Sequence, residues 1–172
     1  MREFAAEPPV EARVGDALRD AGETVATAES CTGGLIGSLL TDAAGSSDYF
    51  DRSVVTYSYD AKLEELAVPR EHLDAEGAVS APVARAMARG VRDTAAVDWG
   101  VATTGIAGPG GGTDEKPVGT VYVGVAYAGE WGTGDSGATV ERYEFDGSRT
   151  QIKERIARRA LSDLLAAVGT RG

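Results

Sequence analysis

Short β-prone runs alternate with segments of helical period along almost the whole chain, and that alternation limits the folds open to it. Pro8 and Pro9 precede Val10, Val14, Ala17, Leu18 and Ala21, which recur at the helical period until Gly22 stops the pattern. Thr24–Ala28 is β-prone, and Leu35, Ile36, Leu39 and Leu40 then predict a buried helix ending near Gly45, with Ser30 on the turn between the two. Ser53–Ser58 predicts a second strand. Asp60–Leu66 predicts a short helix stopped before Pro69, and Ser80 as N-cap with Pro82 opens a long helix reaching about Thr94. Trp99–Thr104 is a third strand. Thr120–Ala128 and Ala138–Phe145 alternate as strands do and are joined by a Gly/Asp-rich link, which predicts an antiparallel hairpin. Ile152, Ile156, Ala160, Leu164 and Ala167 share one face of a last helix over Thr150–Val168. Strands alternating with helices give an α/β layered fold with at least one antiparallel pair at the sheet's edge.

At 172 residues the chain is long enough for one well-buried core and short for two, so residues 1–172 are expected to form a single domain. Its longest apolar runs fall well short of the roughly 20 residues of a membrane span, and Glu3, Glu7 and Glu11 do not fit a secretory leader. A soluble, cytoplasmic protein without a membrane partner is the expectation. Cys31 is the only cysteine and His72 the only histidine, so neither a disulfide nor a Cys/His zinc site can form within the chain, and no metal or cofactor is expected. The formal net charge of -10 disfavours nucleic acid. Lys62, Lys116 and Lys153 are the only lysines against 27 acidic residues, a balance suited to a halophilic source. Because arginine carries most of the positive charge, a lysine inside a motif invites a chemical explanation, since lysine can lose its proton and arginine cannot.

Three loops follow strands, at residues 29–34, 57–62 and 104–119, where open α/β sheets place their ligands. In the first, Ser30, Cys31, Thr32 and Gly33 stand before a helix, whose free N–H groups favour an oxyanion or a nucleophile; on spacing alone a helix N-cap is the simpler account of Ser30. Cys31 at such a place could be a thiolate nucleophile, but the chain has no histidine positioned to activate it, and packing is the simpler account. His72 lies in a segment without chemical markers. In the second loop Lys62 could activate a serine if desolvation lowered its pKa, or could be an exposed helix lysine paired with Glu64 or Glu65. The third loop carries Thr104, Gly105, Gly108, Gly110, Gly111 and Gly112, and its backbone N–H groups could approach a phosphate or an oxyanion closely, unless it is merely a solvated loop. It is neither a Walker loop nor a G-x-G-x-x-G turn, and Ser30 has neither a G-x-S-x-G elbow nor an S-x-x-K pair.

Four strings occur together: Thr27-Ala-Glu-Ser-Cys-Thr-Gly-Gly34, Val55-Thr-Tyr-Ser58 with Ala61-Lys62, Gly77-Ala-Val-Ser80, and Gly105-Ile-Ala-Gly-Pro109 continuing through Glu115-Lys-Pro-Val-Gly-Thr-Val121. In their order and spacing the chain resembles the CinA C-terminal domain family over nearly its whole length. That resemblance implies a three-layer α/β/α sandwich with a mixed, mostly parallel sheet and one antiparallel hairpin. It also implies an amidase that hydrolyses nicotinamide mononucleotide to nicotinate mononucleotide and ammonia. Ser30 falls on the family's nucleophile, Lys62 on its base and Tyr57 on their hydrogen-bond partner, with Thr104 to Gly112 lining the site. The glycine loop and a cation, Arg149 or Lys116, could hold the nucleotide phosphate. Two positions depart from the family's pattern: Tyr59 stands where Asn is usual and could alter substrate access, and Ser148 stands where Asp is frequent. Some members are fused to a larger N-terminal domain, and this chain reads as a stand-alone version. The rival expectation is a non-catalytic nucleotide-binding module using the same loops. The Val/Tyr-rich hairpin could pair copies of the chain into a homo-oligomer.

Overall fold

A computed structural model describes residues 3–171. The strands β1 (Val25–Glu29), β2 (Phe50–Val55), β3 (Trp99–Gly105), β4 (Thr120–Tyr127) and β5 (Gly137–Glu144) form one sheet in the order β2-β1-β3-β4-β5. Among the described residues six α-helices pack on it: α1 (Val10–Ala21), α2 (Leu35–Asp42), α3 (Tyr59–Leu66), α4 (Arg70–Glu76), α5 (Ala81–Ala95) and α6 (Arg149–Gly169). The result is a three-layer α/β/α sandwich, with α1, α2 and α6 on one face and α3, α4 and α5 on the other.

The two faces are built differently. Val25, Val101, Val121, Val123 and Val125 point towards α1, α2 and α6, where Leu18, Ile36, Leu40, Ile156 and Leu161 fill the thick layer. The opposite face carries Ala26, Ala28, Ala102 and Ala126. Small residues let α5 lie directly on the strands: a Cβ on Gly100 would sit 2.1 Å from the Ala88 carbonyl, and one on Gly124 2.7 Å from the Ala84 carbonyl. The central strands β1 and β3 are buried on both faces, their polar members Thr27, Glu29, Thr103 and Thr104 included.

The sheet is mixed, but its parallel share is smaller than expected. β1 pairs in parallel with β2 and β3, whereas β4 runs antiparallel to both β3 and β5. The cause is the connection after β3: no helix crosses over between residues 105 and 120, so the chain returns beside β3 in the opposite sense. The second strand occupies Phe50–Val55 rather than 53–58; Thr56 to Ser58 form a turn in which the Ser58 hydroxyl accepts from the Ala61 N–H and caps α3. α4 has no counterpart in the sequence pattern, because its single buried apolar residue, Leu73, shows no period. Ser80 holds the N-cap position of α5, but its hydroxyl donates to the Gly77 carbonyl at 2.9 Å instead of accepting from the helix. Ser148, the departure near Arg149, closes a capping box with Gln151 at the start of α6. No described helix is long and apolar enough to cross a membrane.

Candidate active site

Because β1, β2 and β3 are mutually parallel, the turns that follow them open at one end of the sheet, with Glu29 in register with Val55 and Thr103. Ser30 leaves β1 there, its N–H held by the Thr103 carbonyl at 3.0 Å. Lys62, on α3, reaches the same place from the opposite side. Its Nζ lies 3.1 Å from Ser30 Oγ and 2.6 Å from the Thr56 carbonyl, and the side chain is 1% exposed. Burial lowers the Lys62 ammonium from the usual lysine value to about 8. The surface alternative for Lys62, a pair with Glu64 or Glu65, is therefore excluded by the fold.

The turn after β1 owes its shape to a residue the sequence reading passed over. Glu29 is fully buried, and its carboxylate accepts from the N–H groups of Gly34, Ile36 and Gly37 and from the hydroxyls of Thr27, Thr32 and Ser53. A carboxylate belongs at a helix N-terminus, where the dipole and unpaired N–H groups stabilise it. The consequence corrects one expectation: the opening N–H groups of α2 are already occupied and cannot serve an oxyanion. Among the described residues, the N–H groups of Cys31 and Thr32, just after Ser30, take no acceptor apart from the Cys31 thiol itself.

Other expected site residues divide. Cys31, Tyr57, Gly105, Gly108, Gly110 and Arg149 line a cavity of about 240 Å³ together with Ile106, Ala107 and Gly111. Cys31 is buried, and desolvation pushes its thiol up to about 12, so it stays protonated and inert as a nucleophile. The Arg149 guanidinium donates to the Gly108 carbonyl and, at 3.2 Å, to the Tyr57 hydroxyl. Tyr57 thus contacts Arg149 and, among the described residues, forms no hydrogen bond with Ser30 or Lys62, contrary to the role expected of it. Thr32 and Thr104 do not face the cavity. The Thr32 hydroxyl is buried on Glu29 and Thr103, and that of Thr104 on the Ala78 carbonyl at 2.7 Å. Gly33 is exposed, with its N–H on the Ser30 carbonyl at 3.1 Å. Lys116 extends to the Glu76 carbonyl at 3.0 Å, and Tyr59 turns its hydroxyl to the Ala78 N–H at 3.2 Å, so neither lines the cavity. A larger depression of about 550 Å³ lies over α3, α4 and α5 and is bordered by His72, Arg85 and Arg89; Ser30 and Lys62 are not part of it.

A family model described as the CinA C-terminal domain matches residues 7–168. The chain belongs to the CinA C-terminal domain family. The CinA-like protein of Synechocystis sp. is 59% identical over 113 residues, which are 66% of this chain and 27% of that protein. The CinA-like protein of Chlorobium limicola is 46% identical over 154 residues, 90% of this chain and 35% of that protein. This chain spans about a third of the length of the curated relatives it matches. Among solved structures, the competence/damage inducible protein CihA from Agrobacterium tumefaciens is similar at TM-score 0.85 and 39% identity, covering 98% of this chain and 99% of that one. A CinA superfamily protein from Klebsiella pneumoniae is similar at TM-score 0.86 and 32% identity, covering 94% and 96%. In this CinA domain Glu29 had a sequence signal, a carboxylate ahead of a glycine-led helix. Thr56 had none, since it enters the site through its backbone carbonyl.

Proposed function

We propose that this CinA domain is an amidohydrolase in which Ser30 is the nucleophile and Lys62 the general base. The observation that carries this reading is the buried amine of Lys62 at 3.1 Å from Ser30 Oγ, with its proton affinity lowered to about 8. An amine so poised is neutral for part of the time at physiological pH, and a neutral amine can take a hydroxyl proton. The Thr56 carbonyl fixes one N–H of that amine and leaves its lone pair free to face Ser30.

In the first step the Ser30 proton passes to Lys62 as Oγ bonds to the carboxamide carbon. The carbonyl oxygen becomes an oxyanion, and the N–H groups of Cys31 and Thr32 are the donors nearest in the chain to receive it. One such donor contributes roughly 3–4 kcal/mol in acyl-transfer sites. The intermediate then collapses: the C–N bond breaks, Lys62 returns its proton to the departing nitrogen, and ammonia leaves an ester on Ser30. Water, deprotonated by Lys62, attacks that ester, and the proton goes back to Ser30 Oγ.

The substrate class is a small pyridine nucleotide, nicotinamide mononucleotide by the family resemblance, with no cofactor needed for hydrolysis. The glycine-lined cavity, bordered by Arg149 and by Cys31, the residue that follows Ser30, suits the phosphorylated part of such a molecule. Ammonia release from nicotinamide mononucleotide is the test, with Ser30→Ala measured beside the unaltered protein. Turnover that disappears in the variant supports the amidase. Nucleotide binding without ammonia from either protein would overturn it in favour of a non-catalytic binding module.

A further inference from the structure

Two cations stand where the backbone alone disfavours them. Arg149 and Lys153 lie one turn apart on the same face of α6, within the first two turns, where the helix dipole is positive, and the first turn holds no acidic residue. Like charges at this spacing repel one another. Further along the same helix Arg158 pairs with Glu11 and Glu154 and Arg159 with Asp163, while Arg155 has no carboxylate partner among the described residues and lies over the Phe4 ring at 4.3 Å. Among the described residues Lys153 has no carboxylate within ion-pairing distance, although the chain carries 27 acidic residues against 17 basic ones.

The face these two cations share looks onto the nucleophile's loop. A Cβ built on Gly33 would lie 3.5 Å from Lys153 Nζ, three residues from Ser30, and Arg149 lines the cavity formed with Gly105, Gly108, Gly110 and Gly111. Arg149 is held in place by the Gly108 carbonyl and the Tyr57 hydroxyl. Its fork suits an oxygen pair, and the Lys153 ammonium adds a mobile point charge. A phosphomonoester, with close to two negative charges at neutral pH, would offset both cations and the helix dipole together.

We infer that Lys153, with Arg149, forms the subsite for the phosphomonoester dianion of the substrate, and that it makes the site prefer a nucleotide to its dephosphorylated riboside. This rests on the amidase reading for its substrate, and its test has one arm that does not. In the kinetic arm, kcat/KM is measured for nicotinamide mononucleotide and for the riboside in the unaltered protein, Lys153→Ala and Lys153→Arg. The expected result is a fall of tenfold or more in the preference for the nucleotide in Lys153→Ala, carried by KM, with the preference largely restored in Lys153→Arg. In the binding arm, calorimetric titration with nicotinamide mononucleotide and with inorganic phosphate compares Ser30→Ala with Ser30→Ala/Lys153→Ala. Binding weakened tenfold or more by the second substitution supports the subsite even if no ammonia is ever released. An unchanged preference, or unchanged affinity for both ligands, would overturn the subsite while leaving the amidase standing.

Discussion

Lys62 can act as a base only while its amine is neutral, so the lowered proton affinity caused by burial has a kinetic consequence. Below about pH 8 most of the amine holds its proton and only the neutral remainder can take the one on Ser30; above it most of the amine is free. We therefore expect kcat/KM for ammonia release to climb as pH rises through about 8 and then to level off. Lys62→Arg, which keeps the charge but not the titration, should lower turnover roughly 10²–10⁴-fold with unchanged circular dichroism. A flat pH profile, or an active arginine variant, would remove Lys62 from the role. Ser30 and Lys62 stood out in the sequence only through the family strings that hold them; taken singly, one reads more simply as an N-cap and the other as an exposed helix lysine, and their approach to 3.1 Å depends on the fold. The sequence did not make legible which donors remain for an oxyanion, since that depends on Glu29 folding back onto the start of α2. Thr32 and Thr104 were misplaced for a related reason. Adjacent residues leaving a strand point to opposite faces, and a hydroxyl in a motif is as easily bound to its own backbone neighbours as to a ligand.

At the scale of elements, the placement of Lys62 depends on how closely α5 lies on the sheet, because α3 packs in turn against α5. A Cβ on Gly90 of α5 would lie 2.1 Å from the Leu66 carbonyl at the end of α3, and one on Gly100 of β3 2.1 Å from the Ala88 carbonyl. Gly100→Ala cannot be absorbed by a flexible side chain, since the obstructing atom is backbone. Overpacking of this kind costs about 1–3 kcal/mol, a fall of several degrees in Tm for a chain of this size. Gly137→Ala on β5 meets nothing within 4 Å and should leave stability within about 0.5 kcal/mol. Differential scanning calorimetry of the two variants checks the contrast, and equal midpoints would mean that the sheet and α5 are not in the close contact described. These glycines looked unremarkable in the sequence, where an isolated glycine in a strand signals close approach without naming the partner. The β3–β4 pairing was harder to read for a different cause: a long glycine loop gives no sign of which way the chain returns.

For the whole molecule, the sequence made the layered α/β architecture readable from its alternation, and the convergence of three loops at one end of the sheet followed once β1, β2 and β3 proved parallel. Charge is a whole-molecule property too, and here a count had to be joined to an arrangement. Glu29, Glu11 and Glu154 are buried and satisfied, two of them by Arg158, which leaves most of the remaining carboxylates on the surface with too few cations to match. Salt acts on this surface in two opposed ways. It weakens the exposed pairs Arg19–Asp16, Arg52–Asp51 and Arg142–Glu144, each worth at most about 1 kcal/mol. It also screens the mutual repulsion of a net charge of -10, which acts over many pairs at once. Between 0.01 M and 1 M salt the screening length falls from about 30 Å to about 3 Å, so repulsion across the surface is removed while contacts at hydrogen-bond distance are only partly weakened. Repulsion should win, and Tm should rise with sodium chloride over this range. The same rise should persist in the Ser30→Ala variant, because it does not involve the site. A Tm that is flat or falls with salt would show that the acidic excess is already balanced in the fold.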